Sequence, residues 1–301
     1  MNETPATVAA PASQTSRRPN LASRLLRHKS GAASLAVILI FGVVAALGSL
    51  IQPFDPIAGN VVASFSPPSA EHWLGTDDLG RDVLSRVMDG AKIALIVATV
   101  SVGVAAIIGL IIGVIAGYAG GFLDLLITRA QDVLFAFPTL LLAVIVSAVL
   151  GPGLINASLA IALVYIPRFG RIARSATLQV KHSEFLDAAR LAGVPVVRML
   201  LRHVVPNVMP SVLVLAALSV STAQLAYASL AFLGLGVSPP QADWGSMLSE
   251  GRNFVTVAPW MVIAPAAALV LLMVAFNVVG DAVRDVMDPR GEHSKGAPIA
   301  A

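Results

Sequence analysis

Long apolar stretches alternate with short charged segments over most of the chain. A helix that crosses the hydrocarbon core of a bilayer needs about 20 consecutive, mostly apolar residues. Six stretches meet or approach this length, and the fourth is the shortest because it runs into Pro167 and Arg168. The six are residues 32–51, 93–117, 133–150, 154–169, 208–236 and 257–280. The pattern predicts an all-α membrane protein with six transmembrane helices.

The first apolar stretch has two possible interpretations. Basic residues from Arg17 to Lys29 precede it, as they would precede the apolar part of a signal peptide. That apolar part usually has only about 7–15 residues, which is shorter than residues 32–51. We therefore interpret this stretch as an uncleaved first transmembrane helix.

The basic residues predict the orientation of the helices. Lys and Arg concentrate in the cytoplasmic loops of membrane proteins. With a cytoplasmic N-terminus, sixteen of the 20 Lys and Arg residues fall on the cytoplasmic side, and the other four are Arg81, Arg86, Lys92 and Arg252. Both termini are therefore predicted to be cytoplasmic.

These assignments divide the chain into five parts. A cytoplasmic N-terminal tail covers residues 1–31, the first transmembrane helix covers 32–51, and an external loop covers 52–92. Residues 93–284 form a core of five helices, which includes a cytoplasmic helix over about 183–193, and residues 285–301 form a cytoplasmic C-terminal tail. Connections as long as 52–92 are usually functional when they hold no domain of their own.

Composition excludes several classes of protein. Of the 301 residues, 56% are hydrophobic and 12% are charged, against about 25% charged in a typical soluble domain. The net charge of +3 comes from basic membrane flanks and does not indicate nucleic acid. The absence of cysteine excludes disulfides and thiolate metal sites. Neither a GxxxxGK[ST] nucleotide loop nor a set of metal-ligating histidines is present, so we expect no enzyme activity, metal or cofactor in this chain.

Small residues recur every fourth position in the second apolar stretch, at Ser101, Ala105, Gly109, Gly113 and Gly117. Such a row lets two membrane helices approach closely. The sequence does not say whether the neighbouring helix belongs to this chain or to a partner.

Ionisable side chains are absent from the middle of every predicted span. Because such residues mark proton relays, their absence argues against a proton-coupled secondary transporter. Gln224 and Tyr227 are polar, three residues apart and at membrane depth. They could line a solute path, or they could bond to neighbouring helices.

The cytoplasmic segment has the start and stop signals of a short helix. Ser183 is predicted to cap the helix with its side chain, and Glu184 suits the first turn. Gly193 and Pro195 suit an end at which Gly193 has a positive φ. The helix carries Phe185, so one face could insert into a groove on a partner. Packing against the chain's own bundle is the alternative.

The loop around this helix resembles a loop of a known protein family. Asp187-Ala188-Ala189, Gly193 and the run from His203 to Pro206 resemble the "EAA…G…I-x-L-P" loop of ABC-importer permeases. In that family the loop is the coupling helix, which sits in the ATPase subunit. Asp187 replaces Glu and keeps its charge, while His203 and Val205 replace Ile and Leu.

The resemblance covers nearly the whole chain. Residues 74–86 are similar to the "LGTDxLGRDVxSR" outer loop of dipeptide and oligopeptide permeases, and further matches lie at 117–138, 233–245 and 277–289. The external motif residues are Gly75, Thr76, Asp77, Gly80, Arg81 and Asp82. The coupling residues are Glu184, Phe185, Asp187, Ala188, Ala189, Gly193, His203 and Pro206. The resemblance implies the type I ABC importer permease fold and the second, C-type subunit.

The family also implies a set of partners in a bacterial inner membrane. These are a homologous permease that forms a heterodimer with this chain, two cytoplasmic ATPase subunits that hydrolyse ATP, an extracytoplasmic solute-binding protein and membrane lipid. The implied cargo is a di- or oligopeptide, with glutathione or a metal chelate as alternatives. A secondary transporter or a membrane scaffold remain as rival functions.

Overall fold

All regular elements between residues 29 and 287, the range that this computed structural model describes, are helices. The longer ones are α1 (Lys29–Ile51), α2 (Val83–Ala119), α3 (Gly121–Phe135), α4 (Thr139–Leu150), α5 (Leu154–Lys181), α8 (Val205–Phe232) and α10 (Trp260–Met287). The short helices are α6 (Glu184–Leu191), α7 (Val196–Met199) and α9 (Trp244–Gly251). A π-helical segment, Leu200–Val204, joins α7 to α8, and 3₁₀ turns cover Val61–Ala63 and Arg252–Phe254.

Four helical ranges are long and apolar enough to cross a membrane. They are Ser30–Ile51, Val83–Ala119, Val196–Phe232 and Trp260–Asp285, and the bent pair of α3 and α4 would be a fifth. The prediction of an all-α membrane protein is confirmed at this level. The predicted tails lie almost wholly in residues 1–28 and 288–301, outside the described residues.

The predicted span over residues 133–150 is not one continuous helix. α3 ends at Phe135, α4 begins at Thr139, and the two axes differ by 92°. Pro138 lies at the break with an extended backbone (ψ 130°). Proline donates no backbone hydrogen bond and disfavours a helical residue before it, which explains why the chain turns here.

The predicted span over residues 154–169 is only the first part of a longer helix. α5 continues through Pro167 to Lys181, and its second half carries Arg168, Arg171 and Arg174. The second half of α5 is therefore too polar for the bilayer core. α5 thus runs without a break from an apolar half to the segment that is predicted to be cytoplasmic.

The row of small residues on α2 packs against α5, so the neighbouring helix of this row belongs to the same chain. A Cβ atom at Gly113 would lie 2.4 Å from the Gly170 carbonyl oxygen, and one at Gly109 would lie 2.4 Å from the Phe169 Cβ. No side chain larger than hydrogen fits at these contacts. The two backbones are therefore in direct contact at the crossing, as small-residue rows permit.

A second group of contacts lies at the end of the bundle that is predicted to be external. Trp244 of α9 is buried, donates its indole N–H to the Val87 carbonyl oxygen at 2.9 Å, and meets the Phe41 ring edge-on at 5.5 Å. α9 therefore fastens α1 and α2 together. The external loop packs onto this end.

Candidate functional site

The segment predicted to be cytoplasmic folds as α6 and ends in a left-handed turn at Gly193. Gly193 has φ +69°, as the sequence predicted. Its N–H donates to the Arg190 carbonyl at 3.0 Å, and the Val194 N–H donates to the Ala189 carbonyl at 3.1 Å. These two bonds form a Schellman motif, which satisfies the last carbonyls of the helix.

The start of α6 differs from the prediction. Ser183 occupies the N-cap position, but its side chain makes no capping bond. Its hydroxyl instead donates to the Val180 carbonyl at 2.6 Å. The hydroxyl therefore stabilises the end of α5, and the first turn of α6 depends on the acidic side chains of Glu184 and Asp187 near its N-terminus.

α6 has one buried residue and a broad exposed face. Leu186 is fully buried in the core, whereas Phe185 is 46% exposed and Leu191 is 92% exposed. Glu184, Asp187 and Ala188 are also exposed, and Ala189 is half-buried. Apolar side chains on the solvent side of a short polar helix are typical of a docking surface.

The connection from α6 to α8 extends this exposed apolar surface. Val197 and Leu201 are 67% and 66% exposed. His203 lies in the π-helical segment with its ring 6.4 Å from that of Phe185, and Pro206 is exposed in the first turn of α8. The motif residues of α6 and of the connection thus lie close together at Phe185 and His203.

The external motif is a compact turn held by buried charges. The Asp77 carboxylate accepts hydrogen bonds from Arg81 Nε at 2.6 Å and Arg86 Nη1 at 3.1 Å. Both guanidinium groups also reach Glu250 of α9, at 3.2 and 2.9 Å. Asp77, Arg81 and Arg86 are at most 5% exposed. The network fastens the loop to the outer ends of α2 and α9.

The predicted external loop ends earlier than expected, because α2 begins at Val83. Asp82 caps this helix through a 2.8 Å bond from the Ser85 N–H, and its other carboxylate oxygen lies 3.0 Å from His72 Nδ1. Gly75 and Gly80 have φ of +72° and +70°. A Cβ at Gly80 would overlap the Asn60 carbonyl oxygen, so the turn requires glycine there.

Thr76 contributes backbone and side-chain contacts to the same turn. Its carbonyl accepts the Trp260 indole N–H at 2.9 Å, and its hydroxyl accepts the Ser66 N–H at 2.8 Å. Carboxylate oxygens of Asp77, Asp78 and Glu250 lie within 4.8 Å of one another. The positive charge among them is supplied by two arginine side chains, so the cluster acts as an ion-pair network.

Gln224 and Tyr227 lie inside the fold, with 1% and 3% exposure. They line a small cavity, with room for about one water molecule, together with Asp243 and residues of α2 and α10. The Gln224 amide, the Tyr227 hydroxyl and the Asp243 Oδ2 atom have no hydrogen-bond partner among the described residues. Their predicted role in lining a solute path stays a prediction.

Asp243 also begins α9. Its Oδ1 atom accepts the Gly245 and Ser246 N–H groups at 2.9 and 3.0 Å. Burial raises the pKa of the Asp243 carboxyl, against the lowering effect of these hydrogen bonds. One carboxylate oxygen is thus bound by the first turn of the helix, and the other has no hydrogen-bond partner among residues 29–287.

The opposite face of α8 borders a larger, open cavity of about 210 Å³ between α4, α5 and α8. Its lining is mostly apolar, with hydroxyl groups from Thr139, Tyr165, Thr222 and Ser229. α8 therefore contributes to two cavities of different size, one on each side of the helix.

Several site residues are not identifiable from sequence patterns. Glu250 and Asp243 join their sites from distant parts of the chain, and Leu186 looks like any other leucine of the segment. Arg190 follows the motif residues of α6, and Tyr118 lies within the matched stretch 117–138; these positions are the one signal that could have marked them.

Comparison with known proteins supplies a family. The family model described as "Binding-protein-dependent transport system inner membrane component" matches residues 109–293. The match includes α6, the connection to α8 and most of the membrane region.

Individual relatives match over most of their length. A dipeptide transport system permease protein of Alkalihalophilus pseudofirmus is 40% identical over 89% of this chain and 88% of its own. A glutathione transport system permease protein of Escherichia coli O6:K15:H31 is 43% identical over 88% of this chain and 87% of its own. A putative peptide transport system permease protein of Brucella abortus biovar 1 is 39% identical over 89% and 90%.

Proposed function

Because the chain belongs to the family of binding-protein-dependent transport system inner membrane components, we propose that it forms one half of the membrane pathway of an ATP-driven peptide importer. The other half is a homologous permease, and the two form a heterodimer. Two ATPase subunits bind on the cytoplasmic side, and a solute-binding protein delivers cargo from outside. The chain itself hydrolyses no ATP.

The exposed apolar face of α6 carries this proposal. Phe185 and Leu191 are solvent-exposed on a helix whose geometry is fixed by buried Leu186 and the Gly193 turn. Exposing these side chains is unfavourable unless a partner covers them. A groove on each ATPase subunit that accepts a short helix would cover this face.

Six transmembrane helices with both termini in the cytoplasm suit this arrangement. The bent pair α3–α4 would be the third span and the apolar half of α5 the fourth, in addition to the four long candidates. This topology puts α6 on the same side as both termini and puts the external loop opposite, where a solute-binding protein can dock.

The mechanism follows from how α6 is connected. Closure of the ATPases on ATP moves α6, which continues into α5 at one end and, through α7 and the π-helical segment, into α8 at the other. α2 follows α5 because the two backbones are in contact at Gly113 and Gly170. α2, α5 and α8 then move together relative to the partner permease, which is alternating access by rigid-body motion.

The cargo is a di- or oligopeptide in this proposal. Two of the relatives described above carry "dipeptide" or "peptide" in their names, and the third carries "glutathione", which is itself a small peptide. Gln224 and Tyr227 are proposed path-lining residues. In this proposal, the opposite face of α8, which borders the open cavity, also lines the path.

Reconstitution tests the function directly. The chain, its partner permease, both ATPases and the solute-binding protein are placed in proteoliposomes, and uptake of labelled dipeptide is measured with each component omitted in turn. Uptake should require every component and ATP. ATP hydrolysis by the purified chain alone, or uptake driven by a proton gradient without ATPases, would refute the proposal.

Topology has a separate test, which the lack of native cysteine makes simple. Single cysteines at exposed positions 62 and 182 are treated with an impermeant maleimide in intact cells. We expect labelling at 62, and protection at 182 until the cells are opened. Labelling at 182 in intact cells would contradict a cytoplasmic position of the turn that leads into α6.

A further inference from the structure

Three cytoplasmic elements converge on one aromatic ring at the end of α2. The Tyr118 ring centroid lies 5.9 Å from Lys181 Nζ at the end of α5 and 5.9 Å from Arg190 Cζ of α6. Its hydroxyl lies 3.3 Å from the Met199 sulfur of α7. Tyr118 is thus a shared contact of α2, α5, α6 and α7.

Arg190 connects α6 to the neighbouring elements. Its guanidinium donates to the Asp187 carboxylate at 2.6 Å and to the Lys181 carbonyl at 3.2 Å. The first bond holds the guanidinium on α6, and the second ties it to the last residue of α5. Since a guanidinium is attracted to the face of an aromatic ring, Arg190 links α6 to Tyr118 as well.

A small set of contacts holds α6 in its orientation. Leu186 is the one buried side chain that α6 contributes, and Arg190 follows it by four residues on the same side of the helix. The chain between α5 and α6 is only His182 and Ser183, which fixes where α6 begins. The Gly193 turn, buried Leu186 and the contacts of Arg190 with Tyr118 and with the Lys181 carbonyl then set the angle of α6.

α2, which carries Tyr118, moves together with α5. A Cβ at Gly117, next to Tyr118, would lie 2.9 Å from both the Arg174 carbonyl oxygen and the Thr177 Cβ of α5. Tyr118 is therefore held rigidly on the moving helix pair. It is placed where the angle between this pair and α6 is set.

We propose that Tyr118 is a positioning residue that fixes the angle of α6 to the α2–α5 pair, so that ATP hydrolysis remains coupled to transport. This inference rests on the proposed docking of α6 to the ATPase. Loss of the ring leaves the docking face of α6 in place but lets α6 rotate without moving α2. ATP is then hydrolysed without a matching displacement of the membrane helices.

The test measures the number of peptides transported per ATP hydrolysed by the complete complex in proteoliposomes. Tyr118→Leu should retain the ATPase subunits on co-purification but lower this ratio at least about three-fold, since each cation–π contact shifts an equilibrium by about two- to five-fold. Tyr118→Phe keeps the ring and should stay within about two-fold of wild type.

A matched control removes a similar contact elsewhere. Phe135→Leu eliminates the stacking of Arg171 over Phe135, at 4.1 Å, between α3 and α5. It should leave the ratio unchanged. Arg190→Met removes the same link from the α6 side and should reproduce the loss, which provides a result if Tyr118→Leu does not assemble.

An unchanged ratio in Tyr118→Leu or in Arg190→Met overturns the inference, as does an equal loss in Phe135→Leu. Release of the ATPases from an otherwise intact Tyr118→Leu permease also overturns it, because the ring would then serve docking. Failure of the proposed function looks different, since the wild-type complex itself would then not couple ATP to transport.

Discussion

Replacement of Gly193 separates backbone strain from charge at the docking segment. Gly193 has φ +69°, and a Cβ there would meet nothing within 4 Å. A side chain would cause no clash, so the conformational cost is that of a left-handed residue, about 1–2 kcal/mol. Asn adopts this conformation more readily than most residues, so Gly193→Asn should cost at most about 1 kcal/mol.

Gly193→Asp has nearly the same shape as Gly193→Asn but adds a negative charge. The carbonyl end of a helix already carries partial negative charge, which adds about 0.3–1 kcal/mol. If the residue is buried against an ATPase, an unpaired charge costs several kcal/mol more. A total of about 3 kcal/mol weakens binding by roughly a hundred-fold.

The assay compares the two variants by co-purification of the ATPase subunits and by peptide uptake. Gly193→Asn should retain both, while Gly193→Asp should lose both without any change in the amount of permease in the membrane. The position lies outside every candidate span, so insertion is not affected.

Two results would refute this reasoning. Wild-type binding and uptake in Gly193→Asp would mean that α6 is not the coupling helix. Equal loss in Gly193→Asn and Gly193→Asp would mean that the backbone at this turn, and not charge, determines docking.

Three further predictions concern stability, measured by thermal unfolding of the purified complex. Gly113→Ala should destabilise it by about 1–3 kcal/mol, because its Cβ would lie 2.4 Å from a carbonyl oxygen of α5. Gly103→Ala on the same helix is the control: its Cβ meets nothing within 4 Å, so the substitution should be neutral or stabilising. Arg86→Leu should cost about 1–3 kcal/mol, since it leaves the buried Asp77 carboxylate and the partly exposed Glu250 carboxylate with one arginine, Arg81, in place of two. Arg252→Leu at an exposed position should cost little; equal effects would exclude the buried network as the cause. Asp243→Asn should be more stable than wild type at pH 7, because the raised pKa of Asp243 means that its ionised form is unfavourable in the folded state. Protonation of Asp243 removes this penalty, so the stability difference should shrink on acidification. A difference that grows at low pH would contradict this.

Local signals predicted the elements that depend on neighbouring residues. The turn after α6 follows from Gly193 and Pro195 alone, since both act within a few residues. The α2 row predicted a close helix contact because its four-residue spacing puts the small residues on one face. In both cases the structure contains the predicted feature.

Other features depend on residues that are far apart in the sequence. The external network needs Glu250, which lies 164 residues from Arg86, and no local pattern announces that pairing. The prediction for Ser183 was wrong because its hydroxyl found the Val180 carbonyl instead of the N–H groups of α6. The bend before α4 was missed because an apolar count ignores the effect of Pro138 on the backbone.

In the proposed alternating-access motion, the unbroken length of α5 converts a small tilt into a large displacement of its far end. Its 28 residues span about 42 Å at 1.5 Å per residue, from the cytoplasmic segment into the membrane. A tilt of about 10° pivoting at one end therefore sweeps the far end through roughly 7 Å, a little more than one helical turn. In the proposed transport cycle, a small rotation at the ATPase end of α5 would therefore displace its other end by several ångströms.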